Sequence, residues 1–175
     1  MNRRAFGISA AASLALAGCS ATSGSVNRFK SYDGPQVTSV VINKGARKMY
    51  LMHNDDVLRE YEVDLGFAPL GPKRFEGDGK TPEGTYTIDR RNPNSRYHLS
   101  VGISYPNNQD RARARAKGKR PGGEIFIHGQ PNNPKDRKRA ARVDDWTAGC
   151  IAVTNSEIEE IYAMVNDGTT IALRP

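Results

Sequence analysis

The sequence predicts a mainly β domain, a sandwich or barrel, that carries one convincing α-helix near its C-terminus. Three observations predict it. From about Gln36, short strand-like runs joined by turn residues follow one another, and in the third Tyr61, Val63 and Leu65 alternate with Glu62 and Asp64. The 175 residues include 17 Gly and 10 Pro, more punctuation than an average globular domain carries. Only one long stretch, Thr154 to Gly168, shows a helical stripe beneath a capping signature.

The chain opens MNRRAFGISAAASLALAGCS. Arg3 and Arg4 form a basic start, and Ala5 to Gly18 is a weakly apolar run of 14 small residues. That is short of the ~20 residues a spanning helix needs and suits the core of an export signal. Residues 1–18 therefore read as a signal peptide. Leu16-Ala17-Gly18-Cys19 resembles a bacterial lipobox, and Arg3-Arg4-Ala5-Phe6 a loose twin-arginine signal. The lipobox implies acylation of Cys19, a membrane partner reached through that lipid, and a periplasmic location. Ser20 after the Cys implies the outer membrane. Residues 19–35 are Ser/Gly-rich without an apolar period, a flexible linker, which leaves 36–175 for the domain.

Composition narrows the chemistry. A domain of this length buries a core without disulfides or metal. The formal charge is +7, from 26 Lys/Arg against 19 Asp/Glu. On an exported chain the anions within reach are lipid headgroups and wall carboxylates, so nucleic acid is not the expected partner. Two cysteines exclude a disulfide scaffold and a four-thiolate zinc site. His53, His98 and His128 lie too far apart for an HExxH helix, and no metal or organic cofactor is implied. With Cys19 lipidated, Cys150 is a lone thiol in an oxidising compartment, either buried and inert or kept for its reactivity.

Val37–Ile42, Arg47–Met52 and Val57–Val63 read as a three-strand meander, turning at Lys44-Gly45 and Asn54-Asp55-Asp56. Gly66 to Gly84 is a long Gly/Pro-rich loop. Its Gly79-Lys80-Thr81 imitates a phosphate loop, but Arg74 stands where the first Gly of that motif belongs, so nucleotide binding is rejected. Strands are expected near Gly84–Ile88, Tyr97–Ser104 and Glu124–His128. Between them, Asp110 to Lys117 is a basic run that Asp110 caps as a short helix ending at Gly118; a solvated face is its first reading, contact with anionic polymer its second. Thr154-Asn155-Ser156-Glu157 is a capping box, followed by Ile158, Ile161, Tyr162 and Val165 on one helix face, with Gly168 as the stop. Thr169 to Leu173 is the last strand.

Reactive side chains meet unusual backbone at two places. His128-Gly129 ends an apolar strand, and Thr147-Ala148-Gly149-Cys150 precedes another apolar stretch. Each alone has a bland account, a strand-end His and a small core Cys. Together they suit a thiol nucleophile, Cys150, served by an imidazole base, His128. Such activation predicts alkylation of Cys150 below the ~8.5 of a free thiol. Gly149 lets a substrate carbonyl approach backbone amides, a contact worth about 3–4 kcal/mol of barrier in acyl-transfer enzymes.

These residues, with Gly79-Lys80-Thr81-Pro82-Glu83-Gly84, resemble the L,D-transpeptidase catalytic domain of the YkuD type over roughly Val37 to Leu173. The resemblance implies a β-sandwich with long active-site loops. It implies Cys150 as nucleophile, His128 as general acid/base, Gly149 in the oxyanion turn and Thr147 in support. The implied activity is acyl transfer on peptidoglycan stem peptides in cell-wall remodelling. Hydrolysis at the same site is the alternative, releasing wall-bound peptide or an outer-membrane lipoprotein. An inactive wall-binding lipoprotein is the third reading. Asn92 to His98 and the Trp146–Ala152 stretch resemble a proteobacterial subgroup. Two positions depart from the family pattern: Ala148 replaces a His and Ala152 an Arg. Lys73, Arg74 and Arg96 are the candidates to meet a substrate carboxylate in place of that Arg. Trp146 is read as a core aromatic, His98 as structural or as a partner of the site, and Asp144-Asp145 as a solvated turn that could alternatively orient His128.

Overall fold

The computed structural model describes residues 27–175, so the signal peptide, Cys19 and the start of the linker lie outside the described residues. Residues 27–35 form no helix or strand but run against the C-terminal helix: Lys30 Nζ donates to Ser156 O at 3.0 Å, and the Phe29 ring sits 6.1 Å from that of Tyr162.

The expected meander is present as β1 (Ser39–Asn43), β2 (Lys48–His53) and β3 (Asp56–Glu62), all antiparallel. Val40 and Ile42 of β1 and Met49 and Leu51 of β2 are fully buried, as their alternation requires. The chain then passes through β4 (Gly84–Asn92), β5 (Ser100–Ile103), β6 (Phe126–His128), β7 (Ile151–Ala152) and β8 (Thr170–Arg174). The eight strands form one mixed sheet in the order β3-β2-β1-β8-β4-β5-β6-β7. β4 joins its two halves. Residues Gly84–Thr87 pair with β8, and from Ile88 onward, across a bulge between Ile88 and Arg90, the same strand pairs with β5. A bulge bends and twists a strand, and both halves deliver side chains to one core, among them Ile42, Leu51 and Ile171 from one and Ile103, Ile127 and Ile151 from the other. β6 and β7 are parallel, so a long excursion must separate them. That excursion carries the functional loops.

Among the described residues three helices accompany the sheet: α1 (Asn108–Arg115), α2 (Pro134–Ala140) and α3 (Asn155–Met164). In α1 the cap is Asn107 rather than Asp110. Asp110 is the third helical residue, its carboxylate returning to the Asn107 N–H at 3.0 Å and accepting from Tyr86 OH at 2.9 Å. The run ends at Arg115, with Ala116 as C-cap, one turn before Gly118. α2 escaped the sequence reading because five of its seven residues are charged and it carries no apolar stripe. The Asn133 cap followed by Pro134 was its one local signal. In α3 the capping box of Thr154 and Glu157 forms as expected, but the helix stops at Met164 instead of reaching Gly168. Val165 is fully buried, and its ψ of 122° turns the chain into the core. Arg91 caps the exposed carbonyls, donating to Val165 O at 2.7 Å and to Tyr162 O. Ile158 and Ile161 are fully buried beneath α3, worth about 2–3 kcal/mol each.

Candidate active site

The pairing of β6 and β7 sets the site. Ile127 pairs with Ile151 and His128 with Ala152, so Cys150, one residue before β7, comes opposite Phe126. Paired residues share a sheet face, and two positions along the strand lies His128. The spacing of neighbouring strands and two residues of rise put the Cα atoms of Cys150 and His128 about 8 Å apart, within reach of a thiol and an imidazole. Both side chains open into the same two cavities, of about 400 and 310 Å³.

The turn before Cys150 is fixed by Thr147. Its buried hydroxyl donates to Cys150 O at 2.8 Å and accepts from Gly149 N at 3.1 Å. The Gly149 N–H is therefore engaged by that hydroxyl, and the backbone conformation itself requires a glycine here. Its φ is +133°, and a Cβ there would stand 2.7 Å from Lys80 O. Gly66 is under the same constraint, since its Cβ would meet Gly79 O at 2.2 Å. The Gly79–Gly84 motif is thus packed backbone to backbone against the Cys150 turn. Thr81 Oγ1 accepts from Gly66 N at 3.0 Å, and the chain at 64–67 is clamped from the other side by Phe67 N to Thr147 O at 2.9 Å.

Buried ion pairs hold this loop. Lys44, 2% exposed, donates to Gly71 O, Thr81 O and Glu83 Oε1 at 2.8–3.0 Å. Burial pushes its pKa down against the pull of Glu83. Asp78 accepts from Lys73 Nζ at 2.9 Å and from the amides of Arg74, Phe75 and Lys80. Burial alone would raise its carboxyl, but these donors hold it below the usual range.

His128 is 3% exposed and lies between rings: Tyr97 stacks on it at 4.4 Å, and Trp146 meets it edge-on at 5.6 Å. Nδ1 stands 2.7 Å from Gly129 O. A carbonyl only accepts, so Nδ1 carries the hydrogen and Nε2 keeps a lone pair. Burial lowers the imidazole pKa to about 4, against the weaker effect of the Gly129 carbonyl. Cys150 keeps an exposed edge, yet enough protein encloses its sulfur for burial to push the thiol up. Phe126 N–H and Lys73 oppose that shift without reversing it. Sγ donates to Glu124 O at 3.4 Å rather than to His128. The resting pair is a neutral thiol and a neutral imidazole, which reverses the low-pKa expectation for the free protein. The physical reason is that nothing near either group supplies enough charge to offset desolvation.

The remaining candidates separate. Trp146 is half-buried, its Nε1 donating to Asp64 Oδ2 at 3.1 Å while its ring borders the His128 cavity. Lys73 lines a third cavity at Cys150, of about 290 Å³, and Arg96 lines the 400 Å³ one; Arg74 lines neither. Ala148 is exposed at the mouth of two of the three. His98 bonds Glu159 Oε1 of α3 at 2.7 Å and has no part in the pair. Asp145 is engaged by Arg47 at 2.6 Å and by Leu65 N, so neither it nor exposed Asp144 orients His128. A roomier cavity, about 750 Å³, lies around Arg47, Asp64, Asp145 and Ala152 and is lined by neither thiol nor imidazole. Size is a poorer guide to a site than convergent chemistry, so the three smaller cavities define it. Among the described residues no three His, Cys, Asp or Glu side chains gather as metal ligands, and no helix is long and apolar enough to cross a membrane. Sequence reasoning missed the stacking role of Tyr97 and the whole of α2, which walls the 310 Å³ cavity through Asp136, Arg139 and Ala140.

A curled mixed sheet whose parallel β6–β7 pair delivers a thiol and a desolvated imidazole into shared cavities describes a class of protein. The chain matches the L,D-transpeptidase catalytic domain over residues 38–173 and belongs to that family. It is 34% identical over 111 residues to YafK of Escherichia coli (strain K12), provisionally named an L,D-transpeptidase, covering 62% of this chain and 37% of YafK. It also resembles the crystal structure of the helical cell shape determining protein Pgp2 from Campylobacter jejuni, at 28% identity and a TM-score of 0.59, covering 86% of this chain and 51% of Pgp2. The L,D-transpeptidase from Mycobacterium smegmatis shares the fold at 16% identity, with a TM-score of 0.51 over 79% of this chain and 59% of that one. The chain thus spans little more than a third of YafK and about half of Pgp2.

Proposed function

We propose that this protein is a cysteine-dependent acyltransferase acting on peptidoglycan stem peptides. The observation that supports it most is the convergence of Cys150 and of His128, with its unprotonated Nε2, on common cavities. Sγ swings from Glu124 O toward Nε2 as substrate enters. His128 takes the thiol proton while Sγ bonds to the donor carbonyl carbon. The C–N bond of the donor then breaks, and His128 returns the proton to the leaving amine. An acceptor amine attacks the thioester, forming a new C–N bond as the C–S bond breaks, and its proton passes through His128 back to sulfur. Starting from a neutral pair, this route needs no ion pair in the resting protein. Thr147 and Gly149 hold the turn on which Sγ is carried. Water in place of the amine gives the hydrolase, a second reading favoured by exposed Ala148 at the site mouth.

Export by residues 1–18 and acylation at Cys19 place this activity in the periplasm, tethered to a membrane. If so, Cys19→Ser moves the protein to the soluble fraction. The function itself is tested by incubating the protein with purified sacculi and a free D-amino acid, then weighing the muropeptides. Exchange of the terminal residue, lost in Cys150→Ala, supports transfer. Loss of a cross-link or tethered peptide with no exchange product supports hydrolysis. Unaltered muropeptides contradict both.

A further inference from the structure

Few contacts orient His128. Gly129 O holds Nδ1 at 2.7 Å, and the ring lies against Tyr97 at 4.4 Å and Trp146 at 5.6 Å, so one hydrogen bond and two aromatic rings set where Nε2 aims. An indole has a single polar atom to fix its own orientation. In Trp146 that atom, Nε1, donates to Asp64 Oδ2 at 3.1 Å. Asp64 is in turn tied to the strand that follows the thiol. Its backbone exchanges two hydrogen bonds with Ala152 of β7, at 3.0 and 2.8 Å, and its Oδ1 accepts from Asp145 N at 3.2 Å. Trp146 is therefore a partition. Its ring borders the 310 Å³ cavity of His128 and Cys150, while its N–H reaches a carboxylate that lines the 750 Å³ cavity with Arg47, Glu62, Asp144, Asp145 and Glu157.

We infer that Asp64 is a positioning residue for His128, acting through Trp146: the carboxylate pins the indole, and the pinned indole keeps water from the imidazole and holds its aim. Two donors, Trp146 Nε1 and Asp145 N, converge on this carboxylate, one on each oxygen, so a side chain with fewer acceptors must release one of them. The charged and titratable groups that share the two cavities of the imidazole are Arg96, Tyr97, Glu124, Asp136, Arg139 and Cys150. Burial, not their charges, is what lowers His128 to about 4. Water admitted beside a loosened indole therefore raises it toward its ordinary value, which makes the imidazole its own reporter. That the aim of Nε2 governs turnover rests on the proposed acyl transfer. The coupling of Asp64 to His128 does not.

The test follows the imidazole signals of His128 by NMR between about pH 5 and about pH 7.5, identified by their loss in His128→Gln. In wild type they should hardly move. Asp64→Ala keeps the backbone bonds to Ala152 and removes both acceptors, and the His128 midpoint is expected to rise by about one unit or more, into this range. Trp146→Phe keeps a ring but deletes the N–H; it should raise the midpoint with Asp64 in place, and it carries the test if the alanine variant does not fold. The double variant should shift no further than the larger single one, because both cut the same link. Arg47→Gln releases Asp145 on the other side of this turn without touching the indole, so it should lower the thermal midpoint and leave His128 as in wild type. At saturating donor, Asp64→Ala should lower kcat at least about threefold with KM unchanged. A His128 signal as still in Asp64→Ala and Trp146→Phe as in wild type, additive shifts in the double variant, or an equal shift in Arg47→Gln overturns the inference. Sacculi left unaltered by wild type, with the His128 shifts as expected, would remove the proposed function and leave this coupling standing. Normal processing of sacculi with a still His128 signal in both variants would do the reverse.

Discussion

Thr147→Val is the sharpest probe of how the site is held. Valine keeps the shape of threonine and removes one hydroxyl, which here bridges Gly149 N at 3.1 Å and Cys150 O at 2.8 Å within one buried turn. Each buried backbone group left without a partner costs about 1–3 kcal/mol, so the pair together predicts a loss of about 2–6 kcal/mol. For a domain of this size, 1 kcal/mol moves the midpoint by about 2–4 °C, which gives a fall of at least about 4 °C and up to about 24 °C. Thr147→Ser keeps both hydrogen bonds, loses one methyl and should cost about 1 kcal/mol. The assay is thermal unfolding of the three proteins side by side, with muropeptide turnover measured well below the lower midpoint. Turnover should fall at least tenfold in the valine variant and stay near wild type in serine. A valine variant that melts within 1 °C of wild type, or a serine variant as damaged as valine, would show that the hydroxyl does not hold the turn.

Further outcomes follow from the buried charges. The His128 pKa of about 4 lies below its unfolded value of about 6.5, so between those pH values the unfolded chain binds the extra proton. Stability is full above about pH 6.5 and loses about 3 kcal/mol as pH falls to about 4; denaturant titrations at pH 7 and pH 4.5 should show a smaller difference in His128→Gln, and equal differences would refute the burial argument. The raised Cys150 thiol predicts iodoacetamide labelling that titrates above the ~8.5 of a free thiol, and a midpoint below that value would restore the charged pair. Lys44→Met strands Glu83 and two carbonyls, which predicts a loss of about 3–5 kcal/mol and faster proteolysis within residues 66–84; an unaltered cleavage rate would mean that Lys44 does not strap the loop.

Much of this fold was legible because its signals are local. The strand-like runs form β1, β2 and β3, and the Thr154–Glu157 box starts α3 where it should. What eluded the sequence depends on partners distant along the chain. β7 is two residues long and exists because β6 pairs with it. α3 stops early because Val165 is drawn into the core, a contact that outweighs the glycine stop three residues on. At the site, Cys150 and His128 were readable as residue types, but the sign of the thiol shift was not. It depends on how much protein surrounds the sulfur, and spacing carries no trace of that. Asp136 and Arg139 border the site only because the excursion between β6 and β7 folds back over it, and Tyr97 only because the connection between β4 and β5 does.

The central claim is that acyl groups pass through the sulfur of Cys150. Intact-protein mass spectrometry after rapid quenching with a peptidoglycan tetrapeptide tests it directly. The prediction is a single adduct with the mass of the donor less its terminal amino acid, mapped by digestion to the peptide holding Cys150. It should be absent in Cys150→Ala and form far more slowly in His128→Gln. Turnover of the same donor by Cys150→Ala, or an adduct that maps elsewhere, would contradict the account.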